Sequence, residues 1–141
     1  MANILAPVQA GQDIDWSARF LAQLHQRDRI RVHLLSVQPT YNAHVRSFFS
    51  PAQIHDVQEQ DARAELEPMC RALDALGVPY NTHVAVGHPA EEIARFAQGH
   101  RCPQIVIGPM RGSGLTELVL GSLSRQVQLL MQQSGRLCEV L

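Results

Sequence analysis

The sequence predicts an α/β domain built on a single doubly wound, open sheet of five mostly parallel strands with helices on both faces. Short β-rich runs alternate with helical stretches along the chain, the order that gives parallel pairing with crossover helices. Aromatic residues are 5% of a composition that is 45% hydrophobic, so aliphatic residues dominate, as buried strands require. The length of 141 residues suits one domain, which we expect over residues 1–141.

The first elements follow from local pattern. Residues 3–8 form a short apolar run that is closed by a turn, which predicts the first strand. Residues 13–27 carry apolar side chains at three-to-four spacing, which predicts an amphipathic helix. Residues 30–37 are β-branched and apolar and predict the second strand, after which residues 38–50 are expected to form a loop.

A long helix is expected over residues 51–76. Pro51 is a favourable first helical residue, Gly77 is a favourable terminator, and Leu76 falls on the apolar stripe. Pro68 lies inside this pattern, where its ring removes a backbone hydrogen bond and clashes with the preceding turn. We therefore expect a kink or a split at Pro68.

The second half of the chain continues the alternation. Glu91 and Glu92 occupy the first turn of a helix that follows Gly87-His88-Pro89, where acidic groups favour the positive end of the helix dipole. The remaining strands are expected at 80–86, 104–107 and 136–141, and the last helix at 122–133. A sheet of this kind binds ligands beyond the carboxyl ends of its strands, where the strand order reverses.

Composition excludes several classes of function. A formal net charge of −1 provides no field that would gather nucleic acid or an anionic membrane. All 12 basic residues are Arg, so a Walker A lysine and Schiff-base chemistry are excluded. The chain has no G-x-S-x-G elbow, and we expect no catalytic residues and no enzyme, with a weak ATPase as the alternative.

The cysteines and the amino terminus indicate a cytoplasmic protein. Cys70, Cys102 and Cys138 are far apart and form no C-x-x-C pair, so we expect small buried hydrophobes in a reducing compartment. The first residues lack the features of a signal peptide, and no apolar run approaches the roughly 20 residues that span a bilayer.

We interpret most of the histidines and the paired acidic residues as surface or helix-end side chains rather than as a metal or catalytic site. The seven histidines form no i, i+4 pair and no H-E-x-x-H motif, so we expect scattered solvated or helix-end side chains and no metal site. His88 is the exception, because its place after the third strand puts it near the expected cleft. Glu65 and Glu67 are expected on a solvated helix face.

The segment after the fourth strand carries the most chemical information. The loop carries no side chains at three positions, Gly108, Gly112 and Gly114. A helix is then expected to begin at Gly121-Ser122, and its unpaired backbone N–H groups would favour binding of a phosphate. An equally acceptable interpretation is a flexible connection with a serine cap. The residues alone do not separate the two.

The ordered set of motifs resembles the universal stress protein family. It comprises the Ile4-Leu5-Ala6-Pro7-Val8 strand, the Gly87-x-Pro89-x-Glu91-Glu92-Ile93 turn and helix, and the glycine-containing loop that leads to Leu120-Gly121-Ser122. The resemblance covers essentially the whole chain and implies a Rossmann-like fold of the adenine nucleotide alpha hydrolase type. It also implies the candidate nucleotide- or anion-binding residues Pro7, Gln9, Val37, Gly108, Arg111, Gly112, Gly114, Gly121, Ser122 and Leu123, with His88 in a second tier.

Two positions depart from the pattern of the nucleotide-binding members. Those members bind ATP through a Gly-x2-Gly-x9-Gly-(Ser/Thr) motif and an Asp at the end of the first strand. Here the second glycine is Arg111 and the aspartate is Gln9. A neutral amide is a poor ligand for nucleotide-bound Mg²⁺, and a long side chain hinders approach of the backbone to phosphates.

These departures lead us to expect a regulatory stress-response module in which ATP binding is weakened or lost. No cofactor is then obligatory; an ATP- or AMP-binding protein is the alternative. Two hypotheses for Arg111 stay open: its guanidinium group binds an anion within the loop, or its side chain lies across the site and blocks it.

The resemblance also implies a two-fold homodimer. The last strand, with its apolar side chains Leu137, Cys138 and Val140, is expected to pair antiparallel with its mate. Besides this contact we expect an unidentified protein partner.

Overall fold

Five parallel strands form the sheet. The computed structural model describes residues 2–111, 122–135 and 139–141. The strands are β1 (Ala2–Pro7), β2 (Ile30–Gln38), β3 (Tyr80–Val86), β4 (Gln104–Ile105) and β5 (Glu139–Val140). The helices are α1 (Ile14–Arg27), α2 (Ala43–Arg46), α3 (Pro51–Leu76), α4 (Pro89–Gly99) and α5 (Ser122–Gln133).

The sheet order is β3-β2-β1-β4-β5, with every described pair parallel. β1 lies in the centre, in register with β2 from Ala2 opposite Ile30 to Pro7 opposite Leu35. The predicted doubly wound sheet is therefore confirmed, and its described strands are parallel throughout.

Two apolar layers cover the two faces of the sheet. Ile4 and Leu5 are both fully buried, but they belong to opposite layers because successive side chains of a strand point to opposite faces. Residues of α1 and α3 pack in the layer that contains Ile4. Residues of α4 and α5 pack in the layer that contains Leu5.

The ends of α3 are fixed by local chemistry. Ser50 accepts a hydrogen bond from the backbone of Gln53, whose side chain accepts one from the backbone of Ser50. This capping box satisfies backbone donors at the start of the helix. Gly77 ends the helix in the left-handed conformation at φ 72°, which glycine adopts without a steric penalty.

Two expectations for this helix concern Pro68 and Leu76. Pro68 does not split α3, which runs unbroken from Pro51 to Leu76. Pro68 itself is exposed while Leu66 and Met69 beside it are buried, so packing against the sheet offsets the missing backbone bond. Leu76 was expected on the apolar stripe, and that expectation is wrong: Leu76 is 47% exposed, whereas Leu73 in the same last turn is fully buried.

Other boundaries differ by a few residues. The loop at 38–50 contains the short helix α2, capped by Asn42. β4 covers two residues rather than four, although the Val106 N–H still donates to the Leu5 carbonyl oxygen at 2.8 Å. None of the described helices combines the length and apolar character needed to cross a bilayer.

Candidate functional site

A cleft of about 390 Å³ opens beside the carboxyl end of β1. β1 pairs with β2 on one side and β4 on the other, so the strand order reverses here. Crossovers leave toward opposite faces at such a point, which keeps a crevice open between them. The lining residues are Pro7, Val8, Gln9, Ala10, Leu35, Val37, Glu65, His88, Pro89, Ile93, Leu123 and Gln126.

Five residues singled out from the sequence line this cleft. Pro7 and Gln9 lie at the end of β1 and in the turn after it, and Val37 lies in β2. His88 is the residue before α4, and Leu123 belongs to the first turn of α5. The fold thus brings residues from four parts of the chain to one crevice that has a largely apolar wall.

The other candidates are not among the described lining residues. Gly108 and Arg111 are described but do not line it. Gly112, Gly114 and Gly121 lie outside the described residues, as do Leu137 and Cys138 of the expected dimer edge. Ser122 is the first residue of α5, and Val140 is the last residue of β5.

A hydrogen-bond chain shapes the turn between β1 and α1. The Gln9 N–H donates to Gln12 Oε1 at 3.0 Å, and Gln12 Nε2 donates to Ser17 Oγ at 2.9 Å. Ser17 Oγ in turn donates to the Asp13 carbonyl oxygen at 3.0 Å. Gln12 and Ser17 are both buried, and their polar side-chain atoms all take part in this chain of hydrogen bonds. The chain therefore fixes the backbone of Gln9 from the protein interior.

Gly108 lies against this same chain. A Cβ at Gly108 would stand 1.9 Å from Ser17 Oγ and 2.7 Å from Gln12 Nε2. Both distances are far inside van der Waals contact, so only glycine lets the backbone after β4 approach α1 this closely. Packing alone therefore requires glycine here, whatever the residue does for a ligand.

The loop after β4 crosses the turn after β1. The Asp13 N–H donates to the Pro109 carbonyl oxygen at 2.8 Å, and the Arg111 N–H donates to the Gly11 carbonyl oxygen at 2.7 Å. These bonds fix the backbone of Arg111 beside the β1–α1 turn. Arg111 itself is exposed.

Glu65 is a cleft residue that sequence reasoning placed on a solvated face, and that interpretation is wrong. It is half-buried on α3, and Ser36 Oγ of β2 donates to its Oε1 at 3.1 Å. Gln38 Nε2 donates to the same Ser36 hydroxyl at 2.9 Å. Burial raises the pKa of Glu65, the Ser36 hydrogen bond opposes that rise, and Asp61 adds to it. Glu67, by contrast, is exposed, as expected, and it pairs with Arg71.

The signal for Glu65 was present in the helical spacing. Leu66 and Met69 are buried on α3, and Glu65 stands next to the first and four residues before the second. Such a position lies at the margin of the buried stripe, so the spacing indicates partial burial but not which part of the sheet the side chain meets. Gln126 of α5 also lines the cleft, with nothing in its sequence context to mark it.

Three histidines form a cluster that sequence reasoning treated as scattered. His33 Nδ1 and His83 Nε2 are 3.0 Å apart, and the rings of His83 and His100 are 5.6 Å apart. The ring of His100 stacks on that of Phe96 at 3.8 Å. The strand register produces the cluster by bringing β2 and β3 together beside the end of α4.

Burial lowers the pKa of His33 below its ordinary value of 6.5, with His83, His100 and Arg31 adding to the effect. Burial and then His100 lower the pKa of His83. Within the part of the chain that the structure describes, no group of three or more ligating side chains could hold a metal ion.

The match to a family model decides the relationship of this chain to known proteins. The model of the universal stress protein family matches residues 1–130. The chain belongs to the universal stress protein family. A curated relative, universal stress protein MJ0531 of Methanocaldococcus jannaschii, is 28% identical over 74 residues, which are 52% of this chain and 44% of that protein. The match thus spans less than half of that relative's length.

Solved universal stress proteins share the fold of this member. UspA from Lactobacillus plantarum has a TM-score of 0.71 at 19% identity, covering 99% of this chain and 95% of that one. The Archaeoglobus fulgidus protein in complex with dAMP has a TM-score of 0.66 at 19% identity, covering 100% and 96%. An Arabidopsis thaliana family protein with AMP bound has a TM-score of 0.57 at 18% identity, covering 100% and 90%. The Rossmann-like α/β fold of the family is therefore the fold of this chain.

Proposed function

We propose that this universal stress protein is a regulatory stress-response module in which the cleft at the end of β1 keeps only a weakened affinity for ATP, or none. The observation that carries the proposal is the lining of the cleft. Its walls are formed and largely apolar, as a purine requires, but a neutral Gln9 stands where the nucleotide-binding members carry an aspartate.

The missing aspartate weakens ATP binding through its magnesium ion. Mg²⁺ prefers carboxylate oxygens, and an amide at position 9 supplies less charge to hold it beside the phosphates. The one carboxylate in the described lining, Glu65, comes from α3, on another wall of the cleft. Its negative charge adds to the cost of bringing a polyphosphate into the cleft.

Two structural neighbours support retention of a nucleoside-sized pocket. The Archaeoglobus fulgidus protein was solved with dAMP and the Arabidopsis thaliana protein with AMP. Both ligands carry a single phosphate. They favour an adenine nucleotide as the class of ligand for this cleft, with no cofactor that the fold requires.

Regulation through binding rather than turnover is the second part of the proposal. The sequence has no lysine and no nucleophile elbow, so we expect signalling through protein contacts, with a slow ATPase as the alternative. Cys102 is buried and Cys70 is half-buried, in keeping with cysteines that serve as small hydrophobes in a reducing cytoplasm.

Homodimerisation through the last strand is the third part. β5 lies at the edge of the sheet, held to β4 in parallel register, and the Leu141 N–H donates to the Ile105 carbonyl oxygen at 2.7 Å. The opposite edge of a terminal strand offers unpaired backbone groups to a second copy. We propose that the dimer and an unidentified protein partner carry the regulatory signal.

Native mass spectrometry of freshly purified protein tests the ligand proposal. We expect no stoichiometric ATP, and a melting temperature that changes little with millimolar Mg-ATP. Stoichiometric retained ATP, or a melting temperature that rises steeply with Mg-ATP, would contradict weakened binding. Hydrolysis of ATP above the rate of a buffer control would instead support the ATPase alternative.

A further inference from the structure

Glu65 is a lining residue whose carboxylate is held in place by a hydrogen bond from the sheet. Ser36 donates to its Oε1, and Ser36 is fully buried and receives a hydrogen bond from Gln38, which is 5% exposed. A buried serine and glutamine thus fix the carboxylate from the sheet side. No described residue donates to Oε2, which leaves that oxygen free to accept from a molecule in the cleft.

The rest of the described lining offers little competing charge. Apolar side chains or neutral amides form most of it, and His88 is its other titratable residue. Arg111 is exposed and lies outside the lining. A carboxylate in such a setting accepts strongly from neutral N–H and O–H groups and repels anions, since neighbouring charges neutralise little of it.

We infer that Glu65 determines the specificity of the cleft: its carboxylate accepts a hydrogen bond from the nucleoside part of the ligand and disfavours each added phosphate, so that nucleoside monophosphates bind in preference to triphosphates. This inference rests on the proposed function, in which the cleft binds an adenine nucleotide. It assigns the choice among such nucleotides to a helix outside the glycine-containing loop.

Titration calorimetry of the wild-type protein and the Glu65→Gln variant tests the inference, with AMP and ATP in magnesium-free buffer. Glutamine keeps the size of the side chain and can still accept from Ser36, but it removes the charge. ATP carries about two more negative charges than AMP, and we expect the ATP-to-AMP affinity ratio to rise about five- to tenfold at a screened separation of roughly 10 Å. The affinity for AMP itself combines two opposing effects, a weaker hydrogen bond at residue 65 and less repulsion of the single phosphate, so the ATP-to-AMP ratio is the deciding measurement.

Glu67→Gln is the matched control. It removes the same charge from the same helix at an exposed position paired with Arg71, and it should leave both affinities unchanged. Unfolding curves for all three proteins establish that each is folded. Parallel titrations with dAMP and IMP identify the nucleoside group that donates to residue 65. If the change from Glu65 to Gln no longer alters the hydrogen-bond contribution to affinity for dAMP, which lacks the 2′-hydroxyl, that hydroxyl is the donor. If it no longer alters that contribution for IMP, which lacks the 6-amino group, the amino group is the donor.

The outcomes separate this inference from the proposed function. An affinity ratio that is the same in Glu65→Gln and Glu67→Gln overturns the role of Glu65, while AMP binding by the wild type leaves the proposed ligand class intact. Absence of binding by every adenine nucleotide overturns the role of Glu65 and the adenine-nucleotide ligand class, but it agrees with a cleft that has lost ATP. Tight Mg-ATP binding by the wild type, with a ratio that still rises in Glu65→Gln, overturns weakened ATP binding and supports the role of Glu65.

Discussion

Replacing Gly108 with alanine tests whether this glycine is required by packing in the absence of any ligand. The added Cβ would lie 1.9 Å from Ser17 Oγ, so the hydroxyl must leave its position. Ser17 then loses its bonds to Gln12 and Asp13, and the buried Gln12 amide loses its acceptor. At about 1 kcal/mol for each lost bond and about 1–3 kcal/mol for an unsatisfied buried group, we expect Gly108→Ala to cost about 2–4 kcal/mol.

Urea denaturation of the ligand-free protein measures this cost. The midpoint should fall while the slope of free energy against urea stays the same, since the surface exposed on unfolding does not change. Gly99→Ala is the matched control, because a Cβ at Gly99, the last residue of α4, would meet no atom within 4 Å. That variant should be neutral or more stable by up to about 1 kcal/mol.

A double variant isolates the clash. Ser17→Ala removes the hydroxyl that the new Cβ would meet, so Gly108→Ala should cost about 1–2 kcal/mol less in that background than in the wild type. A loss below about 0.5 kcal/mol for Gly108→Ala, or strict additivity in the double variant, would refute the packing explanation. Packing would then not explain the glycine.

Three further predictions concern other parts of the molecule. The lowered pKa values of His33 and His83 mean that the unfolded chain binds more protons below pH 6.5, so stability should fall as pH drops from 6.5 toward the folded-state values. Urea curves from pH 8 to 5 check this, and His83→Phe should flatten the dependence; an equal slope in the variant would count against the cluster. The double change Gln9→Asp with Arg111→Gly should raise the melting temperature in millimolar Mg-ATP, and continued indifference to Mg-ATP would mean that the loop is misaligned with the family pattern. A chain cut after Gly135 should scatter light as a folded monomer, whereas an intact dimer would rule out the last strand as the interface.

The cleft illustrates how far sequence patterns reach. His88 was placed near it because it follows a predicted strand, and parallel strands bring their carboxyl ends to one edge. Pro7 and Val37 were placed there by the resemblance to the family. Glu65 was missed because its position depends on how a 26-residue helix lies across that edge. Helical periodicity gives the buried stripe of α3 but not the point along the helix at which the sheet ends.

The histidine cluster was missed for a related reason. His33, His83 and His100 are far apart in sequence, and no local spacing joins them. Leu35 lies opposite His83 in the register of β2 with β3, which sets His33 and His83 close enough for a hydrogen bond. Register is settled by cross-strand packing and crossover length, which one sequence does not specify.

The sequence by itself determined the alternation of strands and helices, the start of α3 at Pro51 and its end at Gly77, and the edge of the sheet at which a ligand would bind. These features depend on local spacing, backbone preference and connection rules, all of which act over a few residues or one crossover. Only the tertiary structure decided that Glu65 faces the cleft, that Gly108 packs on Ser17, and that histidines from two strands and a helix meet. Those contacts depend on the relative placement of whole elements, and that placement is set by the summed packing of the core rather than by any one segment.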